Sequence, residues 1–307
     1  MSLTVSKMNR MCAGLFILVT TALSVAAQPA VGVDFFDVVS NRTEVASEKA
    51  SAPKTSKDDF SKVCPVDKNP AAKKILSEYG AIFVASGEIV SPPTCLFRSD
   101  DEVTAFQSRL TMGQVVVNGV QLQFQKAAAE SLNAAVSEAL IQGMKIRPLD
   151  GAIAGGRRYS ETVRLWNSRF QPALKYWVAH KMISPDDAAA VSVMTVDQQI
   201  EKVIEWEASG MPFGTNLKGS IFASTAPPGS SQHLSLIAID IAPPLTPSVM
   251  ALMNSHGWYQ TVKGDRSHFT YLGLTEKELP GRGLKAILFD GIMYWIPNIF
   301  LEPAANP

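Results

Sequence analysis

Apolar residues recur every three or four positions between Ser160 and His180, where Val163, Trp166, Phe170, Leu174 and Trp177 fall on one face. That spacing predicts an amphipathic helix, and Pro172 within it predicts a kink or a split. Lys126 to Gln142 reads the same way, with Leu132, Val136 and Leu140 as the apolar face and Gly143 as the stop. Asn69-Pro70, Ser184-Pro185 and Thr246-Pro247 each pair a capping side chain with a proline at the first helical position; the first and last of these helices stop at Gly80 and Gly257. Thr195 and Gln198 form a capping box for a helix that ends at Gly210. Shorter β-rich runs predict strands at Ala81–Ala85, within Leu234–Ile241 and at His268–Leu272. Asn118-Gly119 and Asp290-Gly291, each between short apolar runs, predict two tight hairpins. The pattern predicts an α+β fold: an antiparallel sheet with helices packed on one side.

Composition refines the boundaries. Lys7 and Arg10 precede an apolar run from about Met11 to Val25, and Val25-Ala26-Ala27 suits cleavage, so residues 1–27 read as a signal peptide. An uncleaved anchor is the alternative, although the run is short for a spanning helix. Residues 28–60, rich in Ser, Ala, Lys, Thr and Glu, read as a disordered linker. Of three cysteines, Cys12 falls in the leader; Cys64 and Cys95 remain, and export to the periplasm or the extracellular space favours a disulfide between them over two buried thiols. That bridge would staple a small N-terminal subdomain, 61–110, ahead of a main domain over 111–307, with no membrane span in the mature chain. The 307 residues are 46% hydrophobic and 18% charged, with 28 basic and 28 acidic side chains, a balance that argues against electrostatic capture of nucleic acid. No phosphate loop, dinucleotide fingerprint or Gly-x-Ser-x-Gly elbow is present.

The chemistry concentrates late in the chain. His233, Asp240 and His268 offer two imidazoles and a carboxylate, with Asp265 three residues before the last. Three protein ligands, an open water position and an adjacent base are what a hydrolytic zinc site needs. Seven extended residues span roughly 23 Å, whereas two ligands of one zinc lie about 2.0–2.2 Å from it. The chain must therefore fold back near His233–Leu236, with Asp240 on the face of Ala238 and opposite Ile237, Ile239 and Ile241. His268 then projects from a neighbouring strand, on the face of Thr270. His256 and His180 end helices, where an imidazole complements the dipole.

Ser231-x-His233, with Ala238-x-Asp240 and then Asp265-x-x-His268, resembles the D-alanyl-D-alanine metallopeptidase family, which includes vancomycin-resistance D,D-carboxypeptidases and D,D-dipeptidases. The resemblance runs over roughly residues 125–273. It implies a zinc peptidase fold of the D-Ala-D-Ala carboxypeptidase/hedgehog-like type, with zinc held by His233, Asp240 and His268 and peptidoglycan stem peptides as substrates. It assigns Asp265 as the base where the family has Glu, a side chain shorter by about 1.5 Å. It assigns Arg157, with Arg158 as the neighbouring choice, to the substrate carboxylate, Ser231 to the loop around the site, and Trp258 to the pocket wall. Leu236 stands where the family has Gly. For the two arginines, solvated side chains at a helix start are the alternative. A non-catalytic peptidoglycan-binding module and a metal-dependent amidase acting on a small substrate outside the cell wall are the competing functions.

Overall fold

In the computed structural model the described residues are 33–40 and 61–299; the expected signal peptide and most of the expected linker lie outside them. Within that linker, Phe35–Ser40 forms a short helix, α1. Phe35 and Val39 are buried in the main core, and the Phe35 N–H donates to Asn298 O, so this stretch is packed structure. The reading of 28–60 as wholly disordered fails here because two apolar side chains one helical turn apart suffice to dock a short helix.

Cys64 and Cys95 are joined, with Cα atoms 5.2 Å apart. Between them, α2 (Pro70–Tyr79) is capped by Asn69, whose side chain accepts from the Ala72 N–H. The expected strand at Ala81–Ala85 is instead a 3-10 turn over Gly80–Val84, buried throughout. A short apolar run of this kind is equally at home in a buried turn, so periodicity could not choose. These residues belong to the same core as Trp166, Phe213 and Trp295. α3 (Asp100–Gln107) follows, with Ser99 as its cap.

The single sheet expected from the pattern is three small antiparallel ones. β1 (Met112–Val117) and β2 (Val120–Gln125) form the first hairpin, turning through Asn118 and Gly119, both at positive φ. α4 (Lys126–Ile141) packs back on it so closely that a Cβ on Gly113 would lie 2.6 Å from the Ala129 Cβ. Its buried face is Ala128, Ala129, Leu132, Ala135 and Ala139; Leu140 is exposed, so the apolar stripe expected through Leu140 is rotated in favour of small residues that allow this approach. α5 (Tyr159–Ala179) runs unbroken through Pro172, burying Trp166, Phe170 and Leu174. The carbonyl that Pro172 leaves without a helical donor belongs to Ser168, which is exposed to water. α6 (Pro185–Ser192) and α7 (Val196–Ala208) complete the helical layer, α7 opening on the expected Thr195–Gln198 box.

β3 (Ala238–Asp240), β5 (His268–Tyr271) and β4 (Trp258–Tyr259) form the central sheet in that order, with α8 (Pro247–Ser255) between β3 and β4 in sequence. β6 (Leu284–Phe289) and β7 (Ile292–Pro297) make the last hairpin. Among the described residues no helix is long and apolar enough to cross a membrane.

Candidate metal centre

The central sheet sets the site. β3 and β5 pair antiparallel with Asp240 opposite His268 and Ala238 opposite Thr270. Cross-strand partners put their side chains on one face about 5 Å apart, so one carboxylate and one imidazole meet by register alone. His233 arrives differently. It lies in a 3-10 turn, Gln232–Ser235, and the chain reverses at Leu236, which adopts φ +56°. That is the fold-back the spacing demanded. Leu236 accepts a left-handed backbone because its side chain is buried beside Phe97, Phe106 and Leu234.

His233 Nε2, His268 Nδ1 and Asp240 Oδ1 form a nearly equilateral triangle, with edges of 3.2, 3.1 and 3.3 Å. All three side chains are buried. The outward atoms of each ring fix what faces inward. His233 Nδ1 lies 2.6 Å from Gly155 O, an obligate acceptor, so Nδ1 carries the proton and Nε2 presents a lone pair. His268 Nε2 lies 2.8 Å from Gln232 Oε1. The orientation of that amide is set by its other end, where Nε2 donates to Tyr79 O at 2.8 Å, and by the Thr270 hydroxyl donating to Oε1. His268 is therefore protonated on Nε2, and Nδ1 too presents a lone pair. Three acceptors about 3 Å apart repel one another unless a cation lies among them.

A proton on His233 does not supply that cation near neutral pH. Burial and then the Arg157 charge push its pKa down to about 4, against the opposing pull of Asp240. Burial works to raise Asp240, yet the two imidazoles facing it hold its carboxyl well below the usual range. Arg157 also ion-pairs with the other carboxylate oxygen, Oδ2. The donor set thus fits a divalent metal: two imidazoles, each hydrogen-bonded through its outer nitrogen, and one carboxylate whose other oxygen is held by Arg157. Ligands about 2.0–2.1 Å from a tetrahedral zinc are separated by about 3.3–3.4 Å, close to the edges observed. The same trio serves octahedral iron, for which the corresponding edge is nearer to about 3.0 Å. A buried His–Asp–His group that could hold a metal is therefore present.

The triangle opens into a cavity of about 510 Å³. Ser231 and Asp265 line it, as do Tyr79, Arg169, Lys218 and Phe222. Asp265 Oδ1 accepts from both the N–H and the hydroxyl of Ser267, at 3.2 and 2.8 Å, which fixes the turn leading into β5. Apart from Asp240, Asp265 is the only carboxylate among the described residues lining this cavity.

Three expected roles meet a different geometry. Trp258 does not line the cavity: its ring is fully buried, edge-on to Phe124 and against Tyr271, and its indole N–H donates to Ser131 Oγ. Arg158 lies on a separate hollow with Asp100 and Gln107, its backbone N–H held by Glu161. Arg157 lines the cavity, but its guanidinium is engaged by Asp240 Oδ2 and by Ile153 O. His256 pairs with Glu138, and His180 stacks on Tyr176. Gln232 went unnoticed in the sequence, although it stands next to His233; nothing in the identity of an isolated Gln signals that it will fix the tautomer of an imidazole on another strand.

No family model matches this chain, and no curated protein matches it. Solved structures similar to part of it include the vancomycin-resistance D,D-pentapeptidase VanY from a VanB-type cassette, in complex with Zn(II). That match has 15% identity over 54% of this chain and 81% of the other, with a TM-score of 0.32. The LD-carboxypeptidase LdcB is 14% identical over 52% of this chain and 68% of its own, with a TM-score of 0.29. Both likenesses are distant and partial.

Proposed function

We propose that this chain is an exported zinc-dependent peptidase acting on peptidoglycan stem peptides. One observation carries the metal: two tautomer-fixed imidazoles and an ionised carboxylate aim three lone pairs at a common point on the wall of a cavity. The sequence resemblance around Ser231, His233, Asp240 and His268 carries the substrate class.

In this reading His233, Asp240 and His268 hold the ion. A bound zinc polarises a carbonyl and acidifies its water. Asp265 is the general base: it takes the proton from the attacking water and returns it to the leaving amine. Its Oδ1 is already held by Ser267, so the carboxylate is oriented before substrate arrives. Arg157 grips Asp240 through Oδ2, leaving Oδ1 as the metal-facing oxygen. Gln232 and Gly155 O do the corresponding work for the two imidazoles. Residues 61–110 are assigned here to the same catalytic body.

The test is hydrolysis of a D-Ala-terminated muropeptide by the zinc-loaded chain, beside Asp265→Ala. General-base catalysis is worth about 10²–10⁴-fold, so the variant should lose at least that much rate while retaining its zinc. Undiminished hydrolysis by Asp265→Ala contradicts the assigned base. Muropeptide binding without hydrolysis by the wild-type chain supports the binding-module reading instead.

A further inference from the structure

The last hairpin carries an edge that the rest of the fold leaves open. Its ladder has a phase fixed at both ends. The Asn298 N–H donates across the hairpin to Gly283 O, and the two-residue turn closes on Phe289 and Ile292. Alternate residues of an antiparallel strand bond to the partner strand, so Lys285, Ile287 and Phe289 face β7. The outward groups of β7 are used, since the Trp295 N–H donates to Gln260 O at 2.8 Å. On β6 the Leu284 N–H turns back to Leu279 O at 3.1 Å. The outward N–H and C=O of Ala286 and Leu288 have no backbone partner among the described residues. Edge strands are ordinarily guarded by charges, prolines or bulges. Here no proline and no bulge interrupts Leu284–Phe289, and Lys285 is its one charge. Leu288 is 69% exposed and Phe289 46%, on opposite faces of the strand.

We propose that a second copy of this chain covers the edge, β6 pairing antiparallel with β6 of the partner about a two-fold axis through Ile287. This register is self-complementary, as an isologous contact requires. Ala286 lies opposite the partner's Leu288, and Leu288 opposite the partner's Ala286, so the outward backbone groups of both residues are paired and a small side chain meets a large one on that face. On the other face Ile287 meets its own copy, and Lys285 lies opposite the partner's Phe289, a cation beside an aromatic ring. A bilayer would leave such an edge unsatisfied, and a protein docking on one face would leave the other face bare. The two hairpins join into one four-stranded sheet. The contact lies beside the metal centre's cavity: Arg266 ion-pairs with Asp290 at 3.0 Å, Lys263 sits 4.9 Å from the centre of the Phe289 ring, and Asp265 between them lines the cavity. The proposal does not depend on the peptidase reading.

The test is sedimentation equilibrium of the purified chain from about Gln28. The wild type should pass from monomer to dimer as its concentration rises from about 1 μM to about 1 mM. Leu288→Lys alters a solvent-facing side chain, so it leaves the hairpin's own packing alone, and it should raise the dissociation constant by about 10-fold or more. Ala286→Pro deletes one outward N–H per copy, a change that an edge strand tolerates, and should act in the same direction. Ile141→Lys, at an 86% exposed apolar position that ends α4, should leave the dimer intact. The register has a test of its own. A non-hydrogen-bonded antiparallel pair holds its Cα atoms about 4.5 Å apart, within reach of a disulfide. Ile287→Cys should therefore give a covalent dimer on oxidation with copper phenanthroline. A wild type that stays monomeric throughout, or a dimer that survives both Leu288→Lys and Ala286→Pro, overturns the proposal. A dimer that these variants break but that Ile287→Cys does not cross-link overturns the two-fold register on which it stands.

Discussion

Gln232 is not one of the three candidate ligands, yet it orients one of them. Its Oε1 accepts from His268 Nε2, and the Thr261 hydroxyl also reaches it, at 3.1 Å. Removing that acceptor frees the His268 tautomer, and outer-shell changes of this kind cost about 10–100-fold in metal affinity. Gln232→Met should therefore weaken zinc binding by that factor in a competition titration with the chain still folded; unaltered affinity would mean that the amide is mere packing. His233 gives a second prediction at this scale. Its pKa falls from 6.5 in the unfolded chain to about 4 in the folded one. Between those values the unfolded state binds more protons, so stability rises with pH across the interval and is lost as pH falls from about 6.5 to about 4. The loss is on the order of 3 kcal/mol. Denaturant titrations of the metal-free protein at pH 7 and pH 4 read it, and a flat profile would contradict a buried neutral His233.

At the level of elements, the turn at Leu236 sets two magnitudes against each other. A left-handed backbone costs a non-glycine residue about 1–2 kcal/mol. Burying a leucine is worth more, since truncation to Ala costs about 2–5 kcal/mol. Leu236 is 4% exposed, and its Cδ2 sits where a Cβ on Gly156 would have to go. Leu236→Gly should therefore destabilise the protein by about 1–3 kcal/mol in spite of the relieved strain; a stabilised variant would show that strain dominates. The sequence was most informative where the local signal was covalent or positional. Asn118-Gly119, the Thr195–Gln198 box and the proline-started helices stand where their residues put them. The odd His233–Asp240 separation forced a chain reversal, and one occurs at Leu236. What stayed hidden depends on packing partners distant in sequence. The 3-10 turn at Gly80–Val84, the alanine face of α4 and the burial of Trp258 are each settled by a neighbour and not by a period.

Over the whole molecule, the N-terminal residues brace the site. Cys95 is bonded to Cys64, and two residues on, the Phe97 N–H donates to Gly229 O at 3.0 Å. Gly229 holds φ +86°, and a Cβ there would lie 1.9 Å from Phe97 O, so the segment is pressed against the loop that delivers His233. From the other side, Tyr79 O holds the Gln232 amide. Closing a loop of 31 residues is worth roughly 3–4 kcal/mol in the chain-entropy description. Replacing both cysteines by serine should lower unfolding stability by that amount and weaken zinc affinity as well; a loss of stability with unchanged affinity would separate the brace from the site.

The measurement that bears most directly on the central claim is the metal content of the purified chain from about Gln28 by elemental analysis, beside His268→Ala. About one zinc per chain, lost in the variant, is the predicted result. No zinc bound and none taken up on addition, iron in its place, or zinc retained in full by His268→Ala would contradict the assignment of His233, Asp240 and His268 as a zinc site.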